Sequence, residues 1–134
     1  MISRWNGGRW EGIEQKVYKD NPGNWQFVTR SNLMPTSEAA FEMRCFEVEK
    51  DGYTSFEKHC HEHCVVVLSG EGTVKLEDEV FEIRPNDAVH VPPMTPHQFR
   101  NTGEEPLRIL CVVDRDRDRP TLLDTDGNVY TFNK

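Results

Sequence analysis

Glycine and proline recur so often along this chain that no segment supports a sustained helical periodicity. The segments between them are short, and several alternate hydrophobic with polar residues. Residues 41–49 show this two-residue period most clearly, and a slip at Cys45 and Phe46 predicts a β-bulge there. Short alternating segments at spacings near ten residues predict an antiparallel sandwich or barrel.

The turn signals divide the chain into a series of predicted strands. Turns are expected at residues 21–24, 50–52, 69–72 and 126–127, where Gly, Pro, Asn and Asp cluster. One short helical turn is predicted near residues 36–40, where Ser37 would cap it. The strands are then predicted at residues 16–19, 25–30, 41–49, 53–59, 63–68, 73–76, 80–83, 88–91, 97–101, 107–114, 122–123 and 129–132.

The length and charge exclude several classes of protein. The chain has 134 residues, which fits one domain, and 23 acidic against 16 basic residues give a net charge of −7. This balance disfavours partners such as nucleic acid or an anionic membrane surface. No apolar run approaches the ~20 residues of a membrane span, and no secretory signal begins the chain. We therefore expect a soluble, cytoplasmic protein whose four cysteines are free thiols.

The histidines are the most informative residues for function. His59, His61 and His63 lie within five residues, and with Glu57 they share one face of an extended segment. His97 follows a proline-rich turn. Imidazoles and carboxylates suit Fe, Mn, Ni, Cu or Zn, and crowded imidazoles have little structural purpose unless something binds them. The cluster therefore predicts one divalent transition metal, in preference to a solvated hairpin tip.

Two spacings around these histidines resemble the two motifs of the cupin superfamily. The first is Glu57-x-His59-x3-His63-x6-Gly70, and the second is Asn86-x5-Pro92-x-Met94-x2-His97-x3-Asn101. The resemblance covers about residues 40 to 114. It implies an all-β jelly-roll (double-stranded β-helix) barrel with an internal metal, and by position it implies the ligand set Glu57, His59, His63 and His97.

The ligand order departs from the family pattern. Cupins usually present His, His, Glu and His, whereas here the carboxylate and an imidazole are exchanged between Glu57 and His63. A second register would use His59, His61 and His97, with Glu62 or Cys64 near the third position, but it breaks the spacing to Gly70. We favour the first register, which leaves His61 at a strand tip, near the pocket rim or in solvent.

Two motif glycines are also replaced. Asn86 is a mild change, because Asn tolerates a positive φ. Met94 predicts that the proline-rich turn of this chain needs no positive φ.

Several further residues have a structural interpretation. Cys60 and Cys64 are read as bystanders of the cluster, and Cys45 and Cys111 as small core hydrophobes. His90, between two valines, is expected to face outward. The aromatic and sulfur-containing side chains expected to line the pocket are Phe99, Met43 and Phe46.

The resemblance also suggests a domain organisation. Residues 37–115 would form the barrel, and residues 116–134 a C-terminal hairpin. Residues 1–36 would be an N-terminal extension that contains Trp5, Trp10 and Trp25. These large aromatics would pack on the barrel or form the interface of a homodimer. The alternating Asp and Arg of residues 114–119 are interpreted as a solvated segment.

The predicted ligand set leaves one or two positions of a six-coordinate ion open, as a catalytic or ligand-binding metal requires. We expect a metalloenzyme of dioxygenase-like type that acts on a small organic substrate. The alternatives are a non-catalytic small-molecule or metal-binding module and a metal-dependent isomerase or lyase. No obvious second general base accompanies the ligands, although Tyr53 or Glu62 could serve.

Overall fold

The computed structural model of the protein describes residues 1–17 and 25–130. Within these ranges every regular element is a strand, and none of the described residues forms a helix long and apolar enough to span a membrane. The strands are β1 (Gln15–Val17), β2 (Gln26–Asn32), β3 (Phe41–Tyr53), β4 (Glu57–Lys58), β5 (His63–Ser69), β6 (Gly72–Leu76), β7 (Glu79–Ile83), β8 (Ala88–Val91), β9 (His97–Asn101), β10 (Leu107–Asp114) and β11 (Thr121–Leu122).

All strand pairs are antiparallel, as predicted. The main path through the sheet is β11-β4-β9-β3-β10-β5-β8, with β6 and β7 attached to β9, and β1 and β2 attached to β3. Strands that are distant in sequence therefore lie side by side, and β10 pairs with both β3 and β5. This pairing brings the segments that carry the histidines to one end of the sheet.

The hydrophobic core follows from the two-residue alternation. On β10, Leu107, Ile109, Cys111 and Val113 are buried, while the residues between them are more exposed. The other buried core residues come from facing strands in the same way: Val28, Val48, Val65, Val67, Val74, Ile83, Val89, Val91 and Phe99.

The predicted bulge at Cys45 and Phe46 is wrong. Both residues pair continuously with β10, because both faces of β3 are covered there, so consecutive apolar residues need no bulge. The irregularity lies further along β3, where Val48 pairs with Val28 but Tyr53 pairs with Gln26. The turn predicted at residues 50–52 is this bulge inside one long strand.

The N-terminal half departs from prediction in two other places. Residues 36–40 form no helix, because the Ser37 hydroxyl accepts the N–H of Ala39 at 3.0 Å in a local turn. Of the strand predicted at residues 53–59, Tyr53 ends β3 and Glu57–Lys58 form β4. The turn predicted at residues 21–24 lies outside the described residues, as does the end of the predicted strand at 129–132.

Three motif positions show why their residue types matter. Asn86 has φ 77°, as its residue type allows. Met94 has φ 59°, so the prediction for this turn is wrong: the Met94 N–H donates to the His59 carbonyl at 2.7 Å, and this tie fixes the turn. Gly70 has φ 85°, and a Cβ there would lie 2.3 Å from the Pro106 carbonyl oxygen.

The N-terminal extension contributes two strands to the sheet. Strand β1 pairs with β2, which pairs with β3. The Arg108 guanidinium lies 3.6 Å from the centroid of the Trp5 ring, and Trp10 lies beside it. The homodimer and the domain boundaries at residues 36 and 115 stay predictions.

Candidate metal centre

Three of the four predicted ligands lie together at one end of the barrel interior. His63 and His97 begin β5 and β9, and His59 follows β4. Each of the three rings has one nitrogen that lies within 4.8 Å of a nitrogen of both other rings. The Nε2 atoms of His63 and His97 are 3.2 Å apart. We call these residues the three-histidine group.

Contacts behind the rings fix which nitrogen faces the group. His59 Nδ1 donates to the carbonyl oxygen of His61 at 2.6 Å, and His97 Nδ1 donates to that of Thr95 at 2.8 Å. A carbonyl can only accept, so these rings carry their proton on Nδ1 and present a bare Nε2. Such outer hydrogen bonds are what orient metal-binding histidines in proteins.

The protonation state of the rings also fits a metal. Burial lowers the pKa of His63 to about 2 and that of His97 to about 4, and it lowers the pKa of His59 as well. The three rings are therefore neutral at neutral pH, which is the ligating form. The Nε2 atoms of His63 and His97 are 3.2 Å apart, which is close to the separation of two nitrogen ligands that each lie about 2.0–2.1 Å from one ion. The residues present thus fit a divalent ion.

Glu57 lies beside the three-histidine group without joining it. It pairs with His97 across β4 and β9, and its Oε1 is 3.9 Å from His97 Nε2. The Ser55 hydroxyl donates to Glu57 Oε2 at 2.8 Å, and burial raises the pKa of the Glu57 carboxyl to about 7. Its role as the fourth ligand stays a prediction.

Of the two positions expected for His61, the structure shows the one at the pocket and not the one in solvent. Its side chain is only 7% exposed, and its ring stacks on His59 with centroids 3.7 Å apart. His61 Nδ1 lies 2.8 Å from Asp118 Oδ1. In this position His61 lines the cavity but stays outside the three-histidine group. The second register is disfavoured further, because Glu62 contacts the exposed His90 instead.

Asp118 was interpreted as part of a solvated segment, yet it ties that segment to the site. Its carboxylate accepts the backbone N–H groups of Cys60 at 2.8 Å and His61 at 3.1 Å. These bonds and the contact with the His61 ring hold the pKa of Asp118 below its usual range. Residues that follow β10 are thereby fixed beside the cavity.

Cys111 has a contact that a core hydrophobe does not need. Its Sγ lies 3.1 Å from His63 Nδ1 and 3.7 Å from Arg44 Nη2. Burial raises the pKa of the Cys111 thiol. All four cysteines are free, and Cys60 and Cys64 are exposed, outside the three-histidine group.

The three-histidine group lines a cavity of about 420 Å³. Phe46 and Phe99 line it as predicted, whereas Met43, on the opposite face of β3, does not. Sequence reasoning missed the basic residues of the wall. Arg44 could have been found, because it lies two residues from Phe46 and shares its face. The arginines that line the cavity are Arg30, Arg44, Arg117 and Arg119.

The structure is thus an antiparallel β-barrel in which three converging histidines that could hold a metal ion lie beside a cavity. The model of the family described as "Cupin domain" matches residues 44–113, which is more than half of the chain. The protein belongs to the cupin family. The predicted jelly-roll fold is thereby confirmed.

Similar proteins agree with this assignment. The chain is 36% identical over 115 residues to the 1-methylthio-D-xylulose 5-phosphate methylsulfurylase of Rhodospirillum rubrum, covering 85% of this chain and 74% of that protein. The crystal structure of a cupin 2 conserved barrel domain protein from Rhodopseudomonas palustris is 37% identical, with a TM-score of 0.85 over 95% of this chain and 88% of that one. A sugar phosphate isomerase from Silicibacter pomeroyi, 20% identical with a TM-score of 0.71 over 90% and 88% of the two chains, shares the fold.

Proposed function

We propose that this protein is a divalent-metal-dependent enzyme that acts on a small organic substrate by Lewis-acid, non-oxidative chemistry. The observation that carries the proposal is the three-histidine group at a cavity of about 420 Å³. This volume lies within the usual range for small-molecule sites. Three imidazoles, with Glu57 as fourth ligand, leave positions on the ion for substrate oxygens.

Each part of the site has a distinct task in this proposal. A bound divalent ion supplies Lewis-acid polarisation of a substrate carbonyl or hydroxyl oxygen. His59, His63 and His97 hold the ion, and the contacts behind their rings keep them oriented. Phe46 and Phe99 exclude water from the reacting end.

His61 supplies a polar group beside the metal position. Asp118 occupies its Nδ1, so Nε2 is the ring nitrogen left for a molecule in the cavity. This pair offers a better-placed hydrogen-bonding partner for substrate than Tyr53 or Glu62, because neither of these lines the cavity.

The name of a similar protein favours a reaction other than oxygenation. Its name describes a methylsulfurylase of a sugar phosphate, not an oxygenase. A dioxygenase-like reaction is the second candidate, because the three imidazoles and a carboxylate also suit Fe(II) with open positions for oxygen and substrate.

Metal content and turnover without oxygen test the proposal together. Purified wild type, His97→Ala and His90→Ala are compared by elemental mass spectrometry, His90 being an exposed histidine outside the cavity. We expect near-stoichiometric metal in wild type and His90→Ala, and loss in His97→Ala.

The turnover experiment uses ketose phosphates, including 1-methylthio-D-xylulose 5-phosphate, at stoichiometric enzyme with products followed by NMR. We expect conversion under nitrogen that requires His97. Conversion that consumes O2 and stops under nitrogen would replace the first candidate with the second. A wild type that holds no metal after reconstitution with Mn²⁺, Fe²⁺ or Zn²⁺ would overturn both.

A further inference from the structure

The cavity concentrates positive charge in a protein that is acidic overall. The whole chain has a net charge of −7. Yet four arginines line the cavity, and among its described lining residues Glu57 is the one carboxylate. Because charged groups at a low-dielectric concave site focus their field on a bound molecule, this local excess favours an anionic ligand.

The arginines reach the cavity from two separate parts of the fold. Arg30 on β2 pairs directly with Phe46 of β3, and Arg44 lies two residues before Phe46 on the same face. Arg117 and Arg119 lie between β10 and β11, in the segment that Asp118 ties to the backbone of Cys60 and His61. Two independent elements therefore hold guanidinium groups at one cavity.

Most of these guanidinium groups lack an internal counter-ion. Within residues 1–17 and 25–130, no carboxylate oxygen lies within 4.0 Å of the charged nitrogens of Arg30, Arg44 or Arg119. Arg44 Nε is buried and has no hydrogen-bond acceptor there. A buried donor without an acceptor is costly, so a ligand that satisfies it gains affinity.

Arg117 has a different part in this arrangement. Its Nη1 lies 3.3 Å from Glu42 Oε2 and donates to the carbonyl oxygens of Asp114 and Arg115. These contacts occupy the guanidinium group and fix its segment. We therefore define the arginine wall as Arg30, Arg44 and Arg119.

We infer that the arginine wall binds a phosphate group of the substrate while the three-histidine group holds the metal that binds its reacting oxygens. This inference rests on the proposed function and specifies its substrate class as organic phosphates. Phosphate is favoured over carboxylate because three guanidinium groups match a dianion with several acceptor oxygens, and arginine forms paired hydrogen bonds with phosphate. The wall thereby sets which end of the substrate faces the metal.

Three probes that share a carbon skeleton test the charge requirement. Glycerol 3-phosphate, glycerate and glycerol are titrated by calorimetry into the protein as purified and, separately, into the protein after incubation with Zn²⁺. We expect glycerol 3-phosphate to bind at least about tenfold more tightly than glycerate, and glycerol to show no heat. Binding should weaken as NaCl is raised, because part of the attraction is screened. If glycerol 3-phosphate and glycerate bind with equal affinity, the inference that the arginine wall recognises a phosphate group is wrong.

Variants assign the binding to the arginine wall. We expect Arg30→Gln and Arg119→Gln each to weaken glycerol 3-phosphate about tenfold, since each removes one charge-assisted contact. Arg84→Gln makes the same change at an exposed arginine outside the cavity and should stay within twofold of wild type. If both wall variants also stay within twofold, the inference is wrong.

The metal measurement separates this inference from the proposed function. If wild type holds no metal yet binds glycerol 3-phosphate through the arginine wall, the proposed function fails and the phosphate site stands. If wild type holds stoichiometric metal and the wall variants bind the probe as Arg84→Gln does, the phosphate site fails and the proposed function stands. Unaltered circular dichroism spectra of Arg30→Gln and Arg119→Gln show that each variant is folded.

Discussion

The two ends of the barrel interior are built from the same strands but differ in chemistry. On β5 the inward-facing residues run from His63 to Val65 and Val67, and on β9 they run from His97 to Phe99. The two-residue period decides which side chains face inward. The position along each strand then decides whether an inward side chain lines the cavity or packs in the core at the other end. We call these the cavity end and the closed end, the closed end being the one that contains Val48, Val67 and Leu107.

The two ends also contribute to stability in different ways, and the histidines of the cavity end lower the free energy of unfolding only below about pH 6.5, where the unfolded chain binds protons that the folded chain does not. At the closed end, Val48, Val67 and Leu107 are almost completely buried, and each buried apolar Å² stabilises the fold by roughly 25 cal/mol. At the cavity end, burial lowers the pKa of His63 and His97, which means that their charged forms lose solvation. Variants at the two ends should therefore separate folding from metal binding.

The largest effect on folding is expected from Leu107→Ala. Leu107 is fully buried at the start of β10, so truncation leaves a cavity and should lower the free energy of unfolding by about 2–5 kcal/mol. Urea denaturation measures this loss, and the remaining folded protein should keep the metal affinity of wild type. Val112→Ala, on the outer face of the same strand, is the control and should change the free energy of unfolding by less than about 0.5 kcal/mol.

The reverse pattern is expected from His97→Ala. Loss of a ligand should weaken metal affinity by more than about 100-fold, beyond the 10- to 100-fold typical of outer-shell changes. The free energy of unfolding of the metal-free protein should fall by less than it does in Leu107→Ala. The reason is that a buried imidazole gives up hydration when the chain folds, whereas a buried leucine side chain gains free energy on leaving water. Calorimetry with Zn²⁺ and urea denaturation after chelation measure the two quantities. Equal losses in His97→Ala and Leu107→Ala would show that the two ends are not separable.

The closed end was largely predictable from the sequence, since its strands alternate and are bounded by turn signals. Strands β8, β9 and β10 match the predicted residues 88–91, 97–101 and 107–114. Local patterns suffice there because one face of each strand is buried. The three histidines of the site were also predicted, because their spacing resembles a family motif.

The rest of the cavity end depends on pairings across the chain that no local pattern encodes. Arg44 and Cys111 are 67 residues apart and meet only because β3 pairs with β10. His61 and Asp118 are 57 residues apart. Met94 adopts a positive φ against its residue preference because its N–H is tied to His59. Tertiary contacts therefore determine where the residues around the three-histidine group lie, and these contacts could not be predicted from the sequence.

Glu57→Gln tests whether Glu57 is a metal ligand. Its effect on metal affinity should be smaller than that of His97→Ala. If Glu57 is the fourth ligand, replacing its carboxylate with a neutral amide should weaken Zn²⁺ affinity by on the order of 10- to 100-fold. The fold should be retained, because Gln has nearly the same shape. Glu62→Gln is the matched control at the carboxylate of the second register, which contacts exposed His90, and should leave affinity unchanged. A loss in Glu62→Gln alone would restore the second register.

Cys111→Ala should give the smallest change in metal affinity. This variant tests a residue that belongs to the core face of a strand and also contacts a predicted metal ligand. Cys111 belongs to the core face of β10, yet its Sγ lies 3.1 Å from His63 Nδ1. Without the sulfur, the His63 ring loses the contact that orients it, so Zn²⁺ affinity should fall about tenfold. Cys45→Ala removes an equally buried thiol outside the cavity, and it should lower the free energy of unfolding by a similar amount, about 1 kcal/mol. If both variants keep wild-type affinity, the contact between Cys111 and His63 does not orient the His63 ring for metal binding.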